Sequence, residues 1–163
     1  MNPDNFNEEE SVFFEPGYII FHRQPRKRSL KFLSTGYAIE FRMIGGHKQV
    51  ERFIDPSQVI LALDKRNTIV ILTASQFIEI SWENLVALTR KHPHTAELHK
   101  AIKLKQFEII RNHRESLATK TIAERYFDLL ESQPWVKEHA DEEDIASYLR
   151  ISLAQYHKLC ALE

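Results

Sequence analysis

Three histidines, His92, His94 and His99, cluster around Pro93 at spacings that suggest a metal site. A structural zinc site needs four converging ligands, and nothing else near these histidines supplies them. The single cysteine, Cys160, cannot form an internal disulfide or a cysteine-based zinc site. We therefore predict no metal centre and interpret the histidines as a solvated start of a helix. Cys160 is either an inert, partly buried thiol or a redox switch.

The residue pattern lacks the usual catalytic constellations. There is no Ser-His-Asp order, no pair of catalytic carboxylates and no glycine-rich phosphate loop, and Gly45-Gly46 alone indicates a turn. We predict that the chain is not an enzyme and has no cofactor. The chain contains one run of basic residues, which consists of Arg23, Arg26, Lys27, Arg28 and Lys31. Such a run is typical either of a site that binds nucleic acid or an acidic partner, or of a charged hairpin tip.

Composition narrows the class of protein. The chain has 163 residues, of which 43% are hydrophobic and 28% charged, which is typical of a globular protein with a sizeable core. Its longest apolar runs are far shorter than the roughly 20 residues of a membrane span, and its acidic N-terminus is unlike a signal peptide. We predict a cytoplasmic protein without a membrane partner.

The two parts of the sequence differ in pattern and in charge. All four glycines lie before residue 57, among short alternating apolar runs at roughly ten-residue spacing, which predicts a β-sandwich or barrel. From Ser81 onward the pattern is helical. Residues 122–163 contain four basic and nine acidic side chains, a net charge of −5, whereas the remainder carries +4. Such a split is typical of two units with different tasks.

A long segment from Thr95 to about Leu117 contains no glycine or proline. Leu98, Ile102 and Ile109 recur in it at helical spacing, which predicts a long amphipathic helix. Such a helix is stable mainly through burial of its apolar face. We predict that these three residues pair with a second copy of the chain. The alternative is that the helix packs only on its own β-rich half.

Two short helices are predicted at the end of the chain. Residues 141–144 (DEED) precede one over residues 145–149, and Ser152 begins a second after a short turn. Two short helices joined in this way are typical of a helix-turn-helix. Tyr156 and Leu159 occupy the inward side of the second helix, which leaves Gln155, His157 and Lys158 outward.

The order of these parts resembles the Crp/Fnr superfamily of bacterial transcription regulators. Residues 121–130 (TIAERYFDLL) are similar to the family's S-A-E-E-R-Y-x-x-L-L run, and residues 144–152 (DIASYLRIS) to its D/Y-I-A-S-Y-L-G-I-T signature. Residues 16–20 (PGYII) and 32–36 (FLSTG) fall where the family's β-roll motifs are expected. The resemblance covers nearly the whole chain from about Phe13 to Cys160.

The resemblance implies an α+β chain of three parts. Residues 1–91 are expected to form a cyclic nucleotide-binding-like sensor domain with a double-stranded β-helix, or jelly roll. Residues 92–120 are expected to be the long dimerisation helix, and residues 121–163 a truncated, winged-helix-like helix-turn-helix. By this resemblance the chain is a homodimer that regulates transcription and binds DNA.

The cassette that holds a cyclic nucleotide in the family is altered. The family has a Gly-Glu pair, a short helix, and an arginine followed by a small hydroxyl residue and alanine, whereas this chain reads FIDP at residues 53–56 and DKRNT at residues 64–68. Asp55, Lys65 and Arg66 are the candidate stand-ins for the ligand-binding residues. We predict that cAMP and cGMP do not bind tightly, because an unpaired cyclic phosphate is costly to bury, and that any effector is another small molecule.

The DNA-reading end is altered as well. The family's turn glycine is Arg150 here, so this residue must either adopt a positive φ or reshape the turn. The family's base-reading glutamate and arginine become Ala154 and Lys158. By alignment, Ser152, Gln155, His157 and Lys158 are the candidate DNA-binding residues. The alternative is a sensor or protein-interaction module that keeps the architecture but does not bind DNA.

Overall fold

The computed structural model describes residues 10–21, 29–56, 58–60 and 66–161, and within them eight strands precede six helices. The strands are β1 (Glu10–Phe14), β2 (Ile19–Phe21), β3 (Ser29–Thr35), β4 (Ala38–Ile44), β5 (His47–Ile54), β6 (Val59–Ile60), β7 (Asn67–Ile71) and β8 (Ser75–Ser81). The helices are α1 (Trp82–Lys91), α2 (His94–Thr119), α3 (Ile122–Ser132), α4 (Val136–His139), α5 (Glu142–Leu149) and α6 (Leu153–Cys160).

The described strands form two antiparallel sheets of four strands each. One sheet has the order β1-β8-β3-β6 and the other the order β2-β7-β4-β5. Gly36, before β4, has a φ of +89°, and a Cβ at this position would collide with Ser75. Only glycine fits this close approach between the two chain segments.

Strand β5 is buried on both of its faces from Val50 to Ile54. A register shift opposite Glu40 and Phe41 turns Val50 and Phe53 to the same side of the sheet. On that side they pack with helical residues in one core, which includes Tyr126, Ile145 and Leu149. The other face of the strand belongs to a second core between the two sheets. The β-rich part and the C-terminal helices therefore share one hydrophobic core.

A buried ion pair lies on the inner face of the sheet. Arg52 is 2% exposed and Glu40 is 1% exposed, and Arg52 Nε donates to Glu40 Oε2 over 2.5 Å. Asn67 Nδ2 donates to the other carboxylate oxygen of Glu40 over 2.8 Å. Both oxygens of the buried carboxylate are thus satisfied, which a buried charge requires.

The α+β class expected from the sequence is confirmed, and so is the order of a β-rich part followed by helices. Strand β1, the two-residue strand β6 and the four-residue helix α4 were not predicted from the sequence. Helix α5 begins three residues earlier than predicted, because the acidic residues Glu142, Glu143 and Asp144 form its first turn and do not precede it. No helix in the described part of the chain is long and apolar enough to span a membrane.

Candidate functional site

Helix α6 presents the four candidate DNA-binding residues on one exposed surface. Ser152 is the N-cap, and its Oγ accepts a hydrogen bond from the backbone N–H of Gln155 over 3.3 Å. The side-chain Oε1 of Gln155 accepts in return from the Ser152 backbone N–H over 3.0 Å, which completes a capping box. Tyr156 and Leu159 are buried on the opposite side, as predicted.

The outward residues of α6 differ in how far their side chains are engaged by other residues of the chain. Nε2 of His157 lies 2.9 Å from Oε2 of Glu142, in the first turn of α5, and both side chains are more than half exposed. Gln155 is held by the capping box. Lys158 is exposed and has no ion pair or hydrogen bond with another described residue. Lys158 is therefore the candidate whose charge is most available to an external partner.

Arg150 forms the turn between α5 and α6 in a left-handed conformation. Its φ and ψ are +57° and +46°, and it is the one non-glycine residue with positive φ in the described part of the chain. This is the first of the two outcomes expected for an arginine at the family's glycine position. The backbone N–H of Ile151 donates to the Ala146 carbonyl over 3.0 Å, a bond typical of a helix that ends in this conformation.

The side chain of Arg150 reaches from this turn to strand β5. Its Nη1 donates to the carbonyl of Val50 over 2.8 Å and to that of Ser147 over 2.7 Å. Its Nη2 lies 3.2 Å from Oε1 of Glu51. Burial lowers the pKa of Arg150, and the nearby Glu51 carboxylate opposes that shift. The residue that replaces glycine thus joins the turn to the sheet, a contact that the sequence did not suggest.

Two further contacts hold α5 on the same strand. Lys48 Nζ lies 2.6 Å from Oδ1 of Asp144, whose side chain is only 4% exposed. Burial raises the pKa of Asp144, and the Lys48 ammonium partly offsets this effect. Ser147 Oγ accepts from the Val50 N–H over 3.0 Å and donates to the Lys48 carbonyl over 2.8 Å. Asp144 and Ser147 therefore attach helix α5 to β5.

The predicted dimer residues share one side of α2 but differ in exposure. Leu98 is 59% exposed, whereas Ile102 and Ile109 are half-buried and line clefts between α2 and the β-rich part. The large apolar side chains that α2 exposes further along are Leu104 and Phe107, at 55% and 57%. The apolar stripe seen in the sequence therefore packs partly against the β-rich part of the same chain. Leu104 and Phe107 were not among the residues predicted to form the dimer interface.

The candidate ligand residues do not assemble into a cassette within the described part of the chain. Asp55 accepts from Gln58 Nε2 over 2.9 Å and from Gln133 Nε2 over 3.3 Å, and it lines a cleft against α2. Arg66 is exposed, just before β7. Lys65 lies outside the described residues, as do Arg23, Arg26, Lys27 and Arg28 of the basic run.

The described residues around His92, His94 and Cys160 contain no metal site. Among the described residues, no group of three or more His, Cys, Asp or Glu side chains is arranged to hold a metal ion. His92 and His94 are exposed at the junction of α1 and α2. Cys160 is a free, half-buried thiol with its Sγ 3.5 Å from the hydroxyl of Tyr126.

Solved structures similar to this chain are bacterial regulators. FixK2 from Bradyrhizobium japonicum superposes with a TM-score of 0.78 at 16% sequence identity, covering 94% of this chain and 83% of its own. A CooA variant from Carboxydothermus hydrogenoformans gives 0.72 at 9% identity, with coverages of 93% and 74%. A CRP-family transcriptional regulator from Thermus thermophilus gives 0.69 at 15% identity, with coverages of 92% and 82%. The chain has the Crp/Fnr fold.

The Crp/Fnr fold expected from the motifs is thereby confirmed over nearly the whole chain. No family model and no curated protein sequence matches the chain. At these identities the likeness concerns the fold, and the residues that perform a function must be argued from this chain's own geometry.

Proposed function

We propose that this chain is a dimeric transcription regulator that binds DNA through α5, the Arg150 turn and α6, acting as a helix-turn-helix. The observation that carries the proposal is the two-sided character of α6. Tyr156 and Leu159 anchor it in the shared core, while Ser152, His157 and Lys158 remain exposed. A recognition helix needs one anchored side and one polar side that reaches the major groove.

Lys158 is the main candidate for base contact. A lysine can donate to the guanine acceptors in the major groove, and a glutamine can pair with adenine through both ends of its amide. Because the Oε1 of Gln155 is engaged in the capping box, adenine recognition by Gln155 would require the cap to open. The geometry thus favours Lys158 for base contact and Ser152 for phosphate contact near the start of the helix.

The charge of this region is expected to make DNA binding weak. Residues 122–163 carry a net charge of −5, and affinity for DNA depends first on neutralising phosphates. The imidazole of His157 is also occupied by Glu142. Replacing Glu142 with Gln removes one acidic charge and leaves His157 with only a neutral hydrogen-bond partner, so we expect E142Q to bind DNA more tightly than the parent protein.

Dimerisation is expected through the outer side of α2. This helix has 26 residues, which corresponds to about 39 Å. Leu104 and Phe107 expose large apolar side chains on it, and a second copy of α2 would bury them. Two copies of α6 about 34 Å apart would then enter successive major grooves.

The β-rich part is expected to be a jelly-roll sensor that does not take cyclic nucleotides. No Gly-Glu pair or Arg-Ser/Thr-Ala run is present in the sequence between β5 and β7, and Asp55 is already held by two glutamine amides. Calorimetry with cAMP and cGMP is expected to give no dissociation constant near or below a micromolar. Neither catalysis nor a cofactor is part of this proposal, and a DNA-binding regulator would act in the cytoplasm.

The proposal is tested by selecting bound fragments from a randomised duplex pool at low salt. We expect enriched sequences with two-fold symmetry and half-sites one helical turn apart, and tighter binding by E142Q. Lys158→Ala should lose the enrichment at one position of each half-site. A folded dimer that enriches no sequence, and whose retention of DNA is unchanged in both variants, would instead indicate the interaction-module function.

A further inference from the structure

Strand β5 is the longest edge strand in the described part of the chain. The sheet orders β1-β8-β3-β6 and β2-β7-β4-β5 leave β1, β6, β2 and β5 with a strand on one side only. β5 has eight residues, against five in β1, three in β2 and two in β6. An edge strand presents backbone donors and acceptors that can pair with another strand, so proteins commonly cover such edges.

The backbone groups that β5 presents at this edge belong to Lys48 and Val50. Ile44 and His47 face each other across the Gly45-Gly46 turn in the register of β4 with β5. The closing residues of a two-residue hairpin share hydrogen bonds, and backbone bonding then alternates along the strand. The N–H and C=O groups of Lys48 and Val50 are therefore directed away from β4.

Two side chains of the helical part cap these outward groups. Ser147 Oγ accepts from the N–H of Val50 over 3.0 Å and donates to the carbonyl of Lys48 over 2.8 Å. Arg150 Nη1 donates to the carbonyl of Val50 over 2.8 Å. Ser147 and Arg150 thus bond three backbone groups of β5 at the place where a neighbouring strand would lie.

A second β5 strand fits the same backbone groups. In an antiparallel pair whose two-fold axis passes through Gln49, Lys48 of each copy lies opposite Val50 of the other, and the strands exchange backbone hydrogen bonds at both positions. This register also places His47 opposite Glu51 and sets no lysine against a lysine, so like charges do not face each other. The register shift that follows Val50 confines the pairing to this short stretch.

We propose that the β5 edge is a self-association surface of this chain, closed by Ser147 and Arg150 and opened when α5 leaves the strand. Two copies whose α5 helices have detached then pair through Lys48 and Val50. Because the capping side chains and a second strand bond the same backbone groups, docking of α5 and pairing of β5 exclude each other. The proposal concerns association of the protein alone, and it stands whether or not the chain binds DNA.

The test measures a disulfide between two copies at residue 49. Residues that face each other at a non-hydrogen-bonded position have Cα atoms about 4.5 Å apart, which suits a disulfide. Gln49→Cys is combined with Cys160→Ser in the full chain, so that each copy has one thiol. Formation of the cross-linked dimer with oxidised glutathione is followed on non-reducing gels. Adding Ser147→Ala and Arg150→Gly should accelerate it at least about tenfold, because three capping bonds are lost.

Lys48→Pro separates edge pairing from other association. Proline has no N–H, and at an outward position of an edge strand it blocks a second strand while the bonds to β4 remain. It also removes the Lys48–Asp144 ion pair, so it weakens the docking of α5 further and should nevertheless abolish the cross-link. Met43→Cys in place of Gln49→Cys is the matched control. Its thiol is exposed on β4, one strand farther from the edge, and its cross-linking should not accelerate when the cap is weakened.

Circular dichroism verifies that each variant is folded. Ser147→Ala alone, which removes two of the three capping bonds, replaces the double variant if that protein does not fold. The proposal is overturned if weakening the cap does not accelerate the cross-link at residue 49, if K48P leaves this cross-link unchanged, or if the cysteine at residue 43 cross-links equally fast. The last two results would indicate association through exposed apolar surface.

Discussion

Replacing Arg150 separates two opposing effects at the turn between α5 and α6. The left-handed backbone at this residue costs a side chain roughly 1 kcal/mol that glycine does not incur. Against this, the guanidinium makes three contacts, with the carbonyls of Val50 and Ser147 and the carboxylate of Glu51. Each contributes about 1 kcal/mol, at the low end for charged hydrogen bonds because the side chain is 25% exposed.

These energies predict that Arg150→Gly is more stable than Arg150→Ala. Arg150→Ala loses the contacts and keeps the unfavourable backbone, so we expect its free energy of unfolding to fall by about 3 kcal/mol. Arg150→Gly loses the same contacts but relieves the backbone, so we expect a fall of about 2 kcal/mol. The difference between the two variants isolates the backbone effect, because neither retains a guanidinium.

Urea denaturation followed by circular dichroism measures both changes, provided that the three proteins share one slope against urea concentration. An Arg150→Gly protein as stable as the parent would refute the reasoning, because the contacts with β5 would then contribute nothing. Equal stability of the glycine and alanine variants would show that the turn is not left-handed in solution.

Three further predictions concern α2 and the contact of α5 with the sheet. Changing Leu104 and Phe107 together to Asp should convert a dimer into a folded monomer, measured by light scattering at micromolar concentration. The pKa of His113 is lowered by burial and by nearby arginines from 6.5 to about 4, so the unfolded state binds a proton first as pH falls. Stability should then decrease by up to about 3 kcal/mol between pH 6.5 and pH 4, and His113→Gln should flatten that slope in urea titrations. Lys48→Met leaves the buried carboxylate of Asp144 without its cation, and should cost about 1–2 kcal/mol at pH 7 but less in acid, where the carboxyl is protonated.

Each of these predictions has a control or a result that would contradict it. Because the side chain of Ile102 lines the cleft between α2 and the β-rich part, Ile102→Asp should lower the stability of the fold without preventing dimerisation. A parent protein that is already monomeric would contradict the dimer prediction. A His113→Gln protein with the parent's pH profile would assign the acid sensitivity to other groups. For the ion pair, unchanged stability of Lys48→Met would show that Asp144 needs no cation.

The secondary structure was largely predictable because its signals are local. Ser152 was predicted to begin the last helix from its residue type, and it is the N-cap of α6. Strand β6 and helix α4 were missed because they have two and four residues, which is too short for a periodic pattern.

The site was less predictable because its contacts join distant parts of the sequence. The contact between Arg150 and Val50 spans 100 positions, and periodicity within α5 gives no sign of it. For the same reason Ile102 and Ile109 were interpreted as a dimer face, although the sheet of the same chain lies beside them. The buried Arg52 had no sequence signal at all, since charged residues in a strand are ordinarily assigned to its exposed face.

The most direct test of the central proposal is the salt dependence of DNA binding, measured by fluorescence anisotropy on duplex DNA at neutral pH. We predict binding of the parent protein at about 50 mM salt, with a logarithm of affinity that falls linearly as the logarithm of salt concentration rises. Lys158→Ala should weaken this binding by about 1–3 kcal/mol on a selected site if Lys158 contacts a base, and equally on every sequence if it contacts phosphate. A folded dimer that shows no binding at this salt concentration would contradict the proposal that this chain regulates transcription by binding DNA.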